Sequence, residues 1–266
     1  MMQKEIIEAK QVTFQRDSRN ILQKVDWRVS RGEHWVILGL NGSGKTSLLK
    51  IVTGYEWPTK GTVDVLGNRF GRTNLPELRK SIGWVSSSLD EQFLKRASDT
   101  ALEVVISGKH ASIGIYETVD DQDVFRAERL LEEMQMADFA NRPFVKLSQG
   151  EKRRVIIARA LMPDPEILIL DEPCNGLDIY AKEQLLTTIQ KMAVQKGGPT
   201  LLYVTHQLEE VIPAVTHALL INHGKVVAAG EKEKTLTDPL LTETFQVPVE
   251  VEWRASRPWL KIKSTL

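Results

Sequence analysis

The residues Gly39-Leu40-Asn41-Gly42-Ser43-Gly44-Lys45-Thr46 fit the pattern G-x-x-x-x-G-K-[ST], and each residue type in it answers a need of a polyphosphate. Glycines let successive backbone amides converge on phosphate oxygens, and a helix starting in the loop adds the positive end of its dipole. Lys45 brings a point charge for the β- and γ-phosphates, and Thr46 a hydroxyl for Mg²⁺. The candidate nucleotide-binding residues are therefore Gly39, Asn41, Gly42, Ser43, Gly44, Lys45, Thr46 and Ser47. Further along, Ile167-Leu168-Ile169-Leu170 is an apolar run ending in Asp171 and Glu172. Ligands of open α/β sheets bind at the carboxyl ends of strands, where these two carboxylates fall. Asp171 is suited to Mg²⁺, and Glu172 to orienting an attacking water or taking its proton. His206, just past the strand-like Leu201-Leu202-Tyr203-Val204, is placed to donate a hydrogen bond to a terminal phosphate. Glu172, His206 and Lys45 are the candidate catalytic residues; Thr46 and Asp171 are the candidate metal ligands.

A quieter motif lies at Leu147-Ser148-Gln149-Gly150-Glu151. Ser148 and Glu151 form S-x-x-E, a capping box that opens a helix expected over Lys152 to Leu161. The amides at that helix start also suit an anion, so structural and ligand-binding readings hold together.

The elements that must position these groups follow from apolar periodicity. Trp35 to Leu38 is a continuous apolar run, as in a strand covered on both faces, and Ser47 to Val52 has helical character. Strand, glycine loop and helix form the context a phosphate loop requires. Ile21 to Val29 alternates with period two after a turn spanning Arg16 to Asn20. Further strands are expected at Gly61 to Leu66, Ile82 to Val85, Ile167 to Leu170, Leu201 to Val204 and Ala218 to Ile221. Val124, Ala127, Leu130, Leu131 and Met134 share one helical face, and a second helix is expected near Ala181 to Val194. Phe245, Val247, Val249, Val251 and Trp253 alternate and predict a strand appended to the core. Strands alternating with helices predict an α/β fold with a largely parallel sheet.

Composition narrows the function classes. The 266 residues carry 35 basic and 35 acidic side chains and are 42% apolar, so a packed core is expected and coating of nucleic acid by bulk charge is not. The single cysteine, Cys174, has no internal disulfide partner and fits a reducing compartment. The first residues are polar, unlike a secretory signal, and no apolar run approaches the ~20 residues needed to span a bilayer. A cytoplasmic location is expected, and a pore, if one is used, must come from another chain.

Taken in order, the motifs resemble the ATP-binding cassette family: Gly39 to Thr46, then Leu147 to Glu151, Ile167 to Glu172, Asn175-Gly176-Leu177-Asp178, and His206. The resemblance covers roughly residues 5 to 235. It implies a P-loop NTPase core with a mainly parallel sheet, an N-terminal antiparallel β subdomain and a helical signature subdomain. The corresponding boundaries are a cassette over 1–235, with its core at about 1–88 and 160–235 and its helical subdomain at about 89–159, followed by a C-terminal extension over 236–266. It implies a Mg²⁺-dependent ATPase that forms a head-to-tail homodimer around two ATP molecules. Ser148, Gln149, Gly150 and Glu151 of one protomer would face the ATP held by its partner, and Asp178 would contact the partner.

Two positions depart from the family pattern. The adenine-stacking aromatic falls four residues after a valine such as Val12, and here that position is Arg16, whose guanidinium plane can stack on a base. The pattern I-G-Y-V-P-Q becomes Ile82-Gly83-Trp84-Val85-Ser86-Ser87, so Ser87 stands where a glutamine usually touches Mg²⁺; Gln92 is a candidate stand-in. The segments Val85 to Leu89, Ile106 to Gly108 and Ser112 to Tyr116 look like a branch labelled as molybdate-transport or photorepair cassettes. Two functions are expected from this: the ATPase subunit of a membrane transporter, peripheral at the inner face of the cell membrane beside integral permease subunits, or a soluble cassette acting on nucleic acid, the ribosome or another macromolecule. Single-cassette length and neutral charge favour the first.

Overall fold

The structure is a computed structural model and describes residues 4–86, 93, 98–110 and 118–263. Ser87, Ser88, Leu89, Gln92 and the segment 112–116 lie outside the described residues. Contacts divide the chain into two compact units, 1–79 with 200–266, and 80–199.

The first unit opens with a long hairpin, β1 (Glu5–Arg16) and β2 (Arg19–Ser30), with Val12, Val25, Trp27 and Val29 buried. The turn is tighter than the alternation suggests. Only Asp17 and Ser18 lie outside the strands, both at positive φ (49° and 61°), the backbone that matches strand twist in a two-residue turn. A short polar residue tolerates this conformation, so the ladder runs through Arg16↔Arg19. On its other edge β1 pairs with β4 (Lys60–Val65), and β5 (Asn68–Arg69) completes an antiparallel sheet in the order β2-β1-β4-β5.

The second sheet of this unit is built around β3 (Trp35–Leu38), all four residues of which are buried. It pairs in parallel with β8 (Thr200–Thr205) and β9 (His217–Asn222), and β10 (Lys225–Glu231) adds an antiparallel edge beside β9. Every residue of β8 is buried, as its unbroken apolar run requires. Helix α1 (Lys45–Val52) follows β3 and turns Leu48, Leu49, Ile51 and Val52 inward, and a short helix, α2 (Leu75–Lys80), follows β5 in sequence.

The tail departs from expectation. Phe245 does not begin a strand; it closes a helix (Asp238–Phe245) with a proline in its first turn, which pre-sets the helical φ. Gln246 then adopts a left-handed conformation (φ 59°), and Pro248 has no N–H for a ladder, so the strand starts at Val249. A hairpin of β11 (Val249–Arg254) and β12 (Arg257–Ile262) ends the unit, turning at Ala255 and Ser256.

The second unit pairs β6 (Ile82–Val85) in parallel with β7 (Ile167–Asp171). Between them in sequence come α3 (Ala101–Ile106), α4 (Asp121–Glu133) and α5 (Gln149–Leu161), which pack on one another; α6 (Ile179–Ala193) follows β7. The α4 face carrying Ala127, Leu130 and Leu131 is buried as its spacing predicts. Each of these helices starts at a polar cap. Thr100 with Glu103, Asp120 with Asp123, and Ser148 with Glu151 form capping boxes, and Asp178 caps α6. The box at Ser148 starts α5 at Gln149 rather than at the expected Lys152, because a cap residue is followed directly by the first helical turn.

Asp123 does a second task, accepting from Lys109 Nζ at 2.7 Å. That hydrogen bond, joined by one from the Asp120 amide, holds its carboxyl below the ordinary value of 3.8. A folded-state pKa lowered in this way contributes stability above 3.8, which is lost as pH falls through the folded value. Asp123→Asn is expected to lower the thermal midpoint near neutral pH, and the gap to the wild type is expected to close as the pH falls to about 2. Melting curves across that range check it; a gap that stays constant would remove Asp123 from the acid response.

Candidate nucleotide site

In the first unit the strand register assembles the site. Leu38, the last residue of β3, is the partner of Thr205 on β8 and of Leu220 on β9. Gly39 and His206 therefore leave neighbouring parallel strands at the same carboxyl edge. Gly39 has no alternative residue: a Cβ there would sit 2.2 Å from the Ile221 carbonyl oxygen. Gly42 and Gly44 take φ of 78° and 109°, open only to glycine without strain, and Gly44 caps α1. Lys45 is buried and folds back over the loop, its Nζ donating to the Gly39 carbonyl at 2.8 Å and to that of Leu40 at 3.1 Å. Thr46 is exposed on the first turn, and Ser47 is half-buried.

These residues fit a polyphosphate. The amides at the start of α1 have no carbonyl four residues back within the helix, and the positive φ of Gly42 and Gly44 turns the chain as a phosphate cradle needs. Ser43 Oγ is buried and has no hydrogen-bond partner among the described residues. Such a group is costly unless a ligand or water pairs with it, and a phosphate oxygen would satisfy it.

Arg16 stands at the tip of the hairpin, exposed, its guanidinium 4.0 Å from Glu56, a separation at which a surface pair contributes little. The same hairpin lays Ile21 and Leu22 against the loop, since a Cβ on Gly44 would meet Leu22 Cδ2 at 2.8 Å and the Ile21 carbonyl at 3.1 Å. Phe14 is buried, as expected of a core residue.

The second unit carries the remaining candidates. Asp171 ends β7, and Glu172 follows in the left-handed region at φ 51°. A non-glycine residue held there stores strain of about 1 kcal/mol, and such strain collects at functional positions. Val85↔Leu170 brings Ser86 to the level of Asp171. Ser148 and Gln149 are exposed at the start of α5. The Ser148 amide donates to Glu151 Oε2 at 2.7 Å and the Glu151 amide to Ser148 Oγ at 3.3 Å. Gly150 is buried against α6, where a Cβ would lie 3.1 Å from Ala181 Cβ. The starts of α5 and α6 are thus neighbours. Asp178, read as a contact for a partner, accepts from its own Ala181 amide at 2.8 Å and so fixes the first turn of α6. Among the described residues no three His, Cys, Asp or Glu side chains converge as a metal cage.

Two exposed apolar residues stand here outside the sequence motifs. Ile179 and Tyr180, in the first turn of α6, are 81% and 74% exposed. Their signal was available: two large apolar residues directly after Asp178, off the face on which Leu185, Leu186, Ile189 and Met192 are buried. Tyr180 receives a hydrogen bond from Gln184 Nε2 at 2.6 Å. Beside it, burial depresses the guanidinium pKa of Arg154, while Glu151 and Tyr180 act in the opposite sense.

Fold and loop together define a phosphate-loop α/β nucleotide-binding protein. The family model for ABC transporters matches residues 22–175. The uncharacterized ABC transporter ATP-binding protein YlmA of Bacillus subtilis is 45% identical over 256 residues, covering 96% of each chain. The ABC transporter ATP-binding protein ModF of Escherichia coli is 37% identical over 206 residues, 76% of this chain and 41% of that one. The dimeric post-hydrolysis structure of the ATP-binding cassette MJ0796, bound to ADP and Pi, superposes with a TM-score of 0.70 at 27% identity, covering 85% of this chain and 98% of that one. The chain belongs to the ABC transporter ATP-binding cassettes, a family that binds and hydrolyses ATP. No helix among the described residues is long and apolar enough to cross a membrane.

Proposed function

We propose that this cassette is the ATPase subunit of a membrane transporter and works as a head-to-tail homodimer around two ATP molecules. The observation that carries the reading is the exposed start of α5. Ser148 and Gln149 face solvent at a capped helix N-terminus, while Gly150 is locked to the neighbouring start of α6. A rigid, amide-rich edge of this kind suits an anion held by another protomer.

In this reading Gly39, Asn41, Gly42, Ser43, Gly44, Lys45, Thr46 and Ser47 hold the phosphates, and Arg16 flanks the base. Thr46 and Asp171 hold Mg²⁺, which when bound neutralises charge on the β- and γ-phosphate oxygens. An oxygen-only pair of ligands suits Mg²⁺, which keeps most of its water and takes the rest of its shell from phosphate. Glu172 orients the attacking water and takes its proton, and His206 donates to the γ-phosphate. Ser148, Gln149, Gly150 and Glu151 close over the partner's ATP. Asp178, by fixing the first turn of α6, presents Ile179 and Tyr180 to the partner, where their apolar area is covered. ATP thus joins the halves and hydrolysis releases them.

Cytoplasmic location beneath integral permease subunits follows from the transport reading, and the 45% identity to a protein named as a transporter ATP-binding protein supports it. The zero net charge gives no footing to action on nucleic acid. Tagged full-length protein expressed from its own locus is expected in the detergent-solubilised membrane fraction, together with a polytopic chain in fixed stoichiometry. Recovery in the soluble fraction alone, with an ATPase rate that rises on adding DNA or ribosomes, would overturn the transport role.

A further inference from the structure

The segment after His206 is anchored by a carboxylate to which the phosphate chemistry gives no task. Glu210 is 2% exposed and ends the 3₁₀ turn Leu208–Glu210. Its Oε2 accepts from Thr205 Oγ1 at 2.7 Å and from Tyr203 hydroxyl at 3.1 Å. Thr205 Oγ1 in turn accepts from the Gln207 amide at 3.0 Å. The two residues flanking His206 are therefore tied through one hydroxyl, and that hydroxyl is oriented by Glu210. Leu208 is buried beside it, and from β12 the guanidinium of Arg257 donates to the Glu209 carbonyl at 2.6 Å.

We propose that Glu210 is the positioning residue of His206: by holding Thr205 Oγ1 in place as acceptor for the Gln207 amide, it sets the backbone from which the imidazole reaches the γ-phosphate. The physical reason is the burial of the carboxylate. A buried carboxylate needs donors, and two of them come from β8, which seats the 3₁₀ turn against the strand. Thr205 Oγ1 gives its only proton to Glu210 and so can only accept from Gln207. Loss of the carboxylate frees that hydroxyl to rotate, and His206 then swings with the Thr205–Gln207 backbone. A displacement of an ångström at a group contacting the transition state is enough to lose a large part of the rate. Arg257 places the C-terminal hairpin against the same turn, which gives the tail a structural role near the site. The inference rests on the proposed role of His206.

The test compares full-length Glu210→Ala, Glu210→Gln and Thr205→Val with the wild type, alone and combined with His206→Ala. Glu210→Ala is expected to lower kcat about ten- to a hundredfold, with the KM for ATP within about twofold. Glu210→Gln, whose amide oxygen still accepts from both hydroxyls, is expected to recover most of the loss. Thr205→Val keeps the shape of the side chain and removes the hydroxyl, so it is expected to mimic Glu210→Ala even if that variant folds poorly. With His206 already replaced by Ala, neither substitution is expected to lower kcat further. The ¹H–¹³C cross-peak of the His206 ring, assigned by its disappearance in His206→Ala, is expected to shift or broaden in Glu210→Ala and Thr205→Val and to stay in place in Glu210→Gln. A His206 cross-peak superposed on the wild type in all three variants, or equal fold-losses with and without His206, would overturn the proposal. Wild-type turnover in His206→Ala would instead overturn the role of His206 itself, and the cross-peak would still report whether Glu210 seats the ring.

Discussion

Glu172→Gln is expected to bind ATP with wild-type affinity and to turn it over about a thousandfold more slowly, the loss associated with removing a positioned general base. Gln has the size and shape of Glu, so the chain leaving β7 keeps its left-handed turn at φ 51°. What is lost is the negative charge and the ability to hold the water's proton. Phosphate contacts through Lys45 and the glycine loop are untouched, because they belong to β3, α1 and the residues between them. The ATP-bound state is then long-lived, and any assembly that ATP completes accumulates. Phosphate release at saturating Mg·ATP measures the first effect, and light scattering on an eluting size-exclusion peak measures the second. Turnover at the wild-type rate would take Glu172 out of its assigned role. Slow turnover without a shift from monomer to dimer mass would leave the chemistry standing and remove the head-to-tail dimer.

Lys45→Ala is expected to weaken ATP binding about ten- to a hundredfold, the range set by losing a charge-assisted hydrogen bond. Lys45 is buried in the loop, and its Nζ already holds two of the loop's carbonyls, those of Gly39 and Leu40. Truncation therefore removes the ammonium that a triphosphate would meet, takes a donor from the Gly39 carbonyl and leaves that of Leu40 with the Ser43 amide. The loop loses part of its own preorganisation together with the ligand contact, so the effect on affinity is expected to exceed that on folding. Calorimetric titration with ATP measures the first and thermal unfolding the second. Unchanged affinity would undo the assignment of the phosphate loop, whatever happened to turnover.

The parts of the site legible in the sequence are those whose physics is local. A covered strand, a glycine turn and a helix start follow one another within Trp35 to Val52, so the loop's conformation and its affinity for phosphate are set by neighbours in the chain. The capping box at Ser148 and Glu151 is likewise confined to four consecutive residues, and it appears at that spacing with both reciprocal hydrogen bonds. The apolar run before Asp171 and Glu172 predicts a buried strand, and β7 is one.

Phe245 to Trp253 alternates as a strand should, yet the left-handed Gln246 and Pro248 divide it between a helix and a hairpin, a local signal that the alternation masks. Ile179 and Tyr180 lie off the face that α6 buries, and only packing leaves them 81% and 74% exposed.

Nothing in the order of residues separates Glu210 from Glu209, and only its burial against the hydroxyls of Tyr203 and Thr205 makes it an anchor. Gly150 is marked by its motif, but its close approach to Ala181, far along the chain, exists only in the fold: a Cβ there would lie 3.1 Å from Ala181 Cβ. Returning to the phosphate loop, its ability to bind was decided by eight consecutive residues. Its company was decided by the pairing of Leu38 with Thr205, which sets His206 at the same sheet edge as Gly39. Hydrogen bonding between neighbours in the chain is written in the order of residues. Strand register and close packing join residues far apart in that order, and those relations exist only once the chain has folded.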